Sequence, residues 1–255
     1  MLEEALNFVP VYVLVLFRIA GMMIYAPLLG SDRIPKRIKA LMACVLAAGI
    51  APNVSLTVQF PQTSWQLAVA IGGEIAFGLA IGTILSMIFI AAQWAGGMIG
   101  QQMGLNLGQT FDPQFGATGS FIGDLYFFLT LVVFLVINGS HALILGVRDS
   151  FSTLPLLSVG ANAHLVSLVM DMFQTATLLA IQLAAPMLVT MLIVDLILGF
   201  IGKTVPQMNI MTAGIGLRVM VGMAVVIFGL SMTSGVLRDA LSDAMRQVHF
   251  TYMGQ

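Results

Sequence analysis

The sequence predicts an all-α, membrane-associated fold of helical hairpins and broken helices. Three observations carry that reading. Of 255 residues, 59% are hydrophobic and only 8% charged, and the mean hydropathy is +1.01, a balance that excludes a water-soluble globular domain. The apolar residues gather in runs of membrane-spanning length separated by short segments rich in Pro, Gly and charge. Between two such runs lies a polar, glycine-rich stretch, Gly96 to Ser120. In it Gly96, Gly100, Gly104 and Gly108 recur at every fourth residue, so on a helix they form one bare stripe against which another backbone can pack closely.

The same composition narrows the function. A formal charge of -1, with no Lys/Arg cluster interleaved with aromatics, excludes nucleic acid as a partner. The single cysteine, Cys44, lies in an apolar run and reads as a small hydrophobe. The 18 methionines suit adaptable core filling or a surface that seals against varied partners.

In order, Leu6 to Leu29 is long enough to cross about 30 Å of hydrocarbon. The acidic Glu3 and Glu4, with Arg18 inside the apolar run, argue against a cleaved signal peptide. Arg18 is a buried charge that needs a carboxylate, a carbonyl or a wet lumen. The loop Ser31 to Lys39 holds Arg33, Lys36, Arg37 and Lys39 against Asp32, and its charge places it on the cytoplasmic side, as an orientation signal or a docking site. Ile38 to Ala51, about 14 residues, is short for a span and reads as a tilted, partly inserted or protein-buried helix. Asn53 to Ser64 reads as a loop on the opposite side.

Trp65 to Trp94 is predominantly apolar, and its one charged residue is Glu74, a second buried charge. Ala76, Ala80, Gly78 and Gly82 give it close-packing faces. A helix continuing from Trp65 to Gly108 would be ~65 Å long and must break, tilt or leave the bilayer. Phe111-Asp112-Pro113-Gln114-Phe115 reads as the break. Phe121 to Ile137 is apolar again and ends in the turn signal Asn138-Gly139-Ser140-His141. Ala142 to Leu157 is a shorter amphipathic piece closing at Pro155. Leu165 to Ile201 contains Asp171, Asp195 and Pro186, which predicts a kink. With Leu217 to Gly235 it makes a hairpin, in which Asp195 and Arg218 reach similar depth and are expected to pair as buried charges. The tail from Val236 is amphipathic with balanced charge.

No catalytic, cofactor or metal site is legible. His141, His164 and His249 are isolated, and no zincin, nucleophile-elbow or phosphate-loop pattern is present. Two function classes remain: a subunit of a membrane conduit, and a secondary transporter with a broken-helix substrate site. A transporter of that kind shows matched broken helices in two halves. The break at 96–115 has no counterpart of like length and composition near 202–216, which favours the conduit.

Several spaced motifs run almost end to end: Arg18 with Gly21 and Pro27; the SDRIPKRIK loop; Gly100-Gln101-Gln102-Met103-Gly104-Leu105 followed by Phe111-Asp112-Pro113; Asn138-Gly139 with His141; Leu154-Pro155; and Val205-Pro206-Gln207-Met208-Asn209-Ile210 with Gly214. In order and spacing the chain resembles the FliR family of type III secretion export-gate proteins, which includes the SctT and SpaR proteins. The resemblance implies a non-enzymatic subunit of the bacterial inner membrane and the flagellar basal body, without cofactors, assembled with FliP and FliQ and contacted by FlhB. Residues 1–160 would be FliP-like, 161–235 a FliQ-like hairpin and 236–255 a tail. It further implies a plug within 105–120, near Met103. Phe111, Phe115 and Met103 would seal the lumen, Gln109, Asp112 and Gln114 would keep the loop hydrated, and Pro113 would break the helix. Unfolded exported polypeptides would pass when it withdraws. The loop carrying Lys203, Pro206, Gln207 and Asn209 would face FlhB, and membrane lipid would surround the assembly.

Overall fold

The structure, a computed structural model, describes residues 2–30, 34–54, 63–105, 120–157, 163–204 and 210–250. Among them there are seven α-helices and no strand: α1 (Leu2–Tyr25), α2 (Lys36–Ile50), α3 (Ser64–Gln102), α4 (Phe121–Val136), α5 (Gly139–Thr153), α6 (Ala163–Thr204) and α7 (Ile210–Phe250). A short 3-10 turn, Ala51–Asn53, follows α2 where Pro52 removes a donor. Among the described residues three helices are long and apolar enough to cross a membrane: α3, and the parts Val169–Thr204 of α6 and Gly214–Arg246 of α7. The chain is an all-α membrane protein.

The helices obey local chemistry at their ends. Where α3 stops, Gly104 has φ 78°, its N–H bonds to the Gln101 carbonyl and the N–H of Leu105 to that of Gly100, both at 3.0 Å. This is a Schellman cap, which needs a left-handed residue and so favours glycine. Between α4 and α5 the turn contracts to Ile137 and Asn138, and Asn138 takes the left-handed conformation, φ 57°. Gly139 is the first residue of α5 and not part of the turn, and a Cβ there would strike the ring of Phe134. Pro186 lies inside α6 without ending it. The amphipathic segment from Val236 is helical as far as Phe250, continuous with the rest of α7.

The chain folds into two compact units interleaved along the sequence. One comprises Met1–Met87, Phe134–Phe173 and Leu241–Gln255, the other Ile88–Val133 and Gln174–Ala240.

In the first unit α1 packs on α2 and, backbone to backbone, on α3. A Cβ on Gly78 would meet the Arg18 carbonyl oxygen and the Met22 nitrogen, one on Gly82 the Met22 carbonyl oxygen, and one on Gly21 the Ile75 carbonyl oxygen. Contacts advance together along both helices, so α1 and α3 run parallel at the separation that only glycine permits. Leu14, Ile19, Phe77, Ile81 and Phe134 of this unit are buried.

In the second unit the end of α3 meets the start of α4 in the same manner. A Cβ on Gly96 would lie 2.5 Å from the Ile122 carbonyl oxygen and 2.7 Å from the Gly123 Cα. Phe89 and Phe127 meet edge to face at 5.7 Å. On α7, Gly222 faces the side chains of Met103 and Met187.

Candidate functional site

Arg18, in the middle of α1, has no solvent exposure. A guanidinium carries five donors in a fixed fork, and its surroundings supply acceptors in matching directions. Nε donates to Glu74 Oε2 at 2.6 Å. Nη1 donates to the carbonyl and hydroxyl oxygens of Ser150, at 3.3 and 3.2 Å, and Nη2 to the Leu154 carbonyl at 3.1 Å. The Ser150 hydroxyl donates in turn to the Val147 carbonyl at 2.6 Å, which leaves its lone pairs free for the arginine. The rings of Phe77 and Phe151 lie 4.7 and 4.3 Å from the guanidinium carbon, within cation–π range.

Helix termination explains the location. The last carbonyls of a helix lack intrahelical partners and form the negative end of its dipole. Arg18 meets that end of α5, where Leu154 precedes Pro155 and the helix cannot continue. Glu74, wholly buried on α3, completes the link: Oε2 takes Arg18 and Oε1 accepts the N–H of Leu157 at 3.1 Å. Leu157 is itself held at φ 70°. A single neutral cluster thus ties α1, α3 and the end of α5 together. Arg18 and Glu74 are sealed from solvent, an arrangement suited to fixing the geometry of these helices.

The second charge cluster belongs to the other unit. Arg218 Nη2 on α7 lies 2.8 Å from Asp195 Oδ1 on α6, at 38% and 43% side-chain exposure. The two side chains pair across the hairpin, but this chain does not bury them. Arg218 Nε is enclosed without a hydrogen-bond partner. Among the described residues no group of three or more His, Cys, Asp or Glu could hold a metal ion.

Residues 9–244 match the model of a family described as bacterial export proteins, family 1. The chain belongs to that family. This export protein is 27% identical to the flagellar biosynthetic protein FliR of Bacillus subtilis over 244 residues, 94% of each chain. It is 28% identical to FliR of Aquifex aeolicus, covering 89% of this chain and 88% of that one. Against FliR of Escherichia coli identity is again 28%, over 87% and 85% of the two chains.

The sequence-predicted residues of the export protein meet different outcomes. Arg18 and Glu74, singled out separately as buried charges, are each other's partners. Gly96 and Gly100 are buried on α3, but Gly104 does not extend their stripe, because the helix ends at Gln102 and Gly104 turns the backbone away as its cap. Met103, the residue before it, is fully buried among apolar neighbours, and Lys203 is exposed in the last turn of α6. Gly108, Gln109, Phe111, Asp112, Pro113, Gln114, Phe115, Pro206, Gln207 and Asn209 lie outside the described residues. Sequence reasoning missed Phe77, Ser150, Phe151 and Leu154 around Arg18. The signal available for Leu154 was the Leu154-Pro155 helix stop, whose unpaired carbonyls attract a cation.

Proposed function

We propose that this chain is a core subunit of the flagellar type III export gate in the bacterial inner membrane, within the basal body. It assembles there with FliP and FliQ into a conduit for unfolded export substrates, is contacted by FlhB through the loop after α6, and contributes residues 105–120 as a central plug. The observation that carries this reading is the match to an export family across 9–244 in a chain whose longest apolar helices are left largely uncovered. On α6, Leu192, Leu196 and Phe200 are exposed, and on α7, Met220, Phe228 and Met232, with Phe228 at 86%. Apolar area of this extent is covered in the membrane by lipid or by companion subunits.

The continuity of α6 and α7 also supports a conduit subunit over a self-contained transporter. Transporters build substrate sites from unwound helix segments at mid-membrane, whereas α6 is continuous over 42 residues, through Pro186, and α7 over 41. The Schellman cap at Gly104 supports the plug assignment, since it ends α3 immediately before the proposed loop.

The test is co-expression with FliP and FliQ, followed by ion conductance of the purified complex. Deleting 109–116 raises small-ion leakage while the complex stays intact; unchanged conductance overturns the plug.

A further inference from the structure

Helix α2 has 15 residues, ~22 Å at 1.5 Å per residue, and cannot cross ~30 Å of hydrocarbon. Pro35 caps its start, and at its end the backbone tightens into the 3-10 turn that contains Pro52. Its inner face, Ala43, Ala47 and Ile50, is buried. Its outer face would be polar on a helix bathed in water, yet Ile38, Leu41 and Val45 stand there at 49%, 65% and 64% exposure. Their spacing places them on one stripe.

The charge on this helix is one-signed. From Ile34 to Val54 there are three cations and no acid. Lys39 is used internally, its ammonium donating to the Gly30 carbonyl at 2.8 Å and fixing the start of α2 beside the turn that ends α1. Lys36 and Arg37 are exposed and have no ion-pair or hydrogen-bond partner among the described residues. Next to that turn Tyr25, an amphipathic residue suited to the bilayer boundary, is also exposed.

A surface basic at one end and apolar along its length matches the boundary between acyl chains and anionic headgroups. We propose that α2 lies in the plane of the membrane surface and binds anionic phospholipid through Lys36 and Arg37, with Ile38, Leu41 and Val45 set into the acyl boundary. A protein partner would have to bring acids to Lys36 and Arg37 and a groove for the stripe, whereas an anionic leaflet supplies both at high density. The inference requires only that the chain is a membrane protein and does not rest on the gate reading.

The test uses the full chain, with whatever membrane subunits co-purify, in lipid nanodiscs. A fluorophore is attached at Val45→Cys in a Cys44→Ala background, which leaves intact the Cys44 backbone carbonyl that accepts from Tyr12. Brominated acyl chains quench this probe, more strongly when carried by phosphatidylglycerol than by phosphatidylcholine. The preference falls about fivefold per cation in Lys36→Gln and Arg37→Gln. Raising salt to about 0.5 M on the protein with both cations intact erases it too, so the test does not depend on the folding of those variants. Absence of quenching at residue 45 means that protein or water covers α2 and overturns the proposal. Equal quenching by the two lipids overturns its charge-recognition part.

Discussion

Arg18 Nε and Glu74 Oε2 stand 2.6 Å apart, 56 residues apart in the chain, with neither side chain exposed to solvent. Such a pair contributes modest net stability over an apolar replacement, but halving it leaves an uncompensated buried charge. Glu74→Ala is therefore expected to destabilise by about 3–5 kcal/mol. The double change Arg18→Met with Glu74→Leu should cost less than the sum of the single changes, because only the Leu154 carbonyl and the Leu157 N–H remain to be satisfied, the Ser150 carbonyl still accepting from the Leu154 N–H at 2.9 Å. Thermal unfolding in detergent, arranged as a double-mutant cycle, measures the difference.

The helical glycines divide by what faces them. Gly78→Ala would drive a methyl group into the backbone of Arg18 and Met22, and Gly96→Ala into that of Ile122 and Gly123. Each is expected to cost at least 1–3 kcal/mol, roughly the penalty of overpacking, since backbone cannot swing aside. Gly222→Ala meets only the ends of Met103 and Met187, flexible side chains that can yield, and should cost less. Gly72→Ala and Gly49→Ala meet nothing within 4 Å and should be neutral or stabilising by up to about 1 kcal/mol through helix propensity. Midpoints of heat-induced aggregation across the series give the ranking.

Gly104→Ala tests a different property. At φ 78° a Cβ costs about 1–2 kcal/mol, and Gly104→Asn should cost less, because asparagine tolerates the left-handed region. If the proposed plug follows this cap, Gly104→Ala alters ion leakage of the assembled complex more than Gly96→Ala does, while Gly96→Ala mainly lowers assembly. Conductance and complex yield, measured on the same preparations, separate the two effects.

The Asp195–Arg218 pair is more than a third exposed, so water and salt can screen it in detergent. Single changes to Asn or Gln should shift detergent-solubilised stability by less than about 1 kcal/mol. In the bilayer, where an unpaired charge is far more costly, each should lower the yield of complex. The exchanged pair Asp195→Arg with Arg218→Asp should recover much of it. Equal yield for single and exchanged variants would remove the pair from the account of the hairpin.

Residues around Arg18 show where sequence reasoning stopped. Composition and hydropathy determined that the protein is all-helical and lives in a membrane, because runs this apolar satisfy their backbone only as helices there. Arg18 and Glu74 stood out, since a charge within an apolar run is conspicuous whatever it touches. The spaced motifs determined the family. The tertiary structure alone decided that those two charges are partners, that the carbonyl end of α5 completes the site, and that Gly104 caps α3 instead of lengthening its stripe. It also decided that the amphipathic segment from Val236 prolongs α7. The reason is physical: burial and helicity follow from local composition, whereas partnership depends on which helices pack at which register. That register is set by glycines such as Gly21, Gly78 and Gly96 meeting backbones remote in the chain.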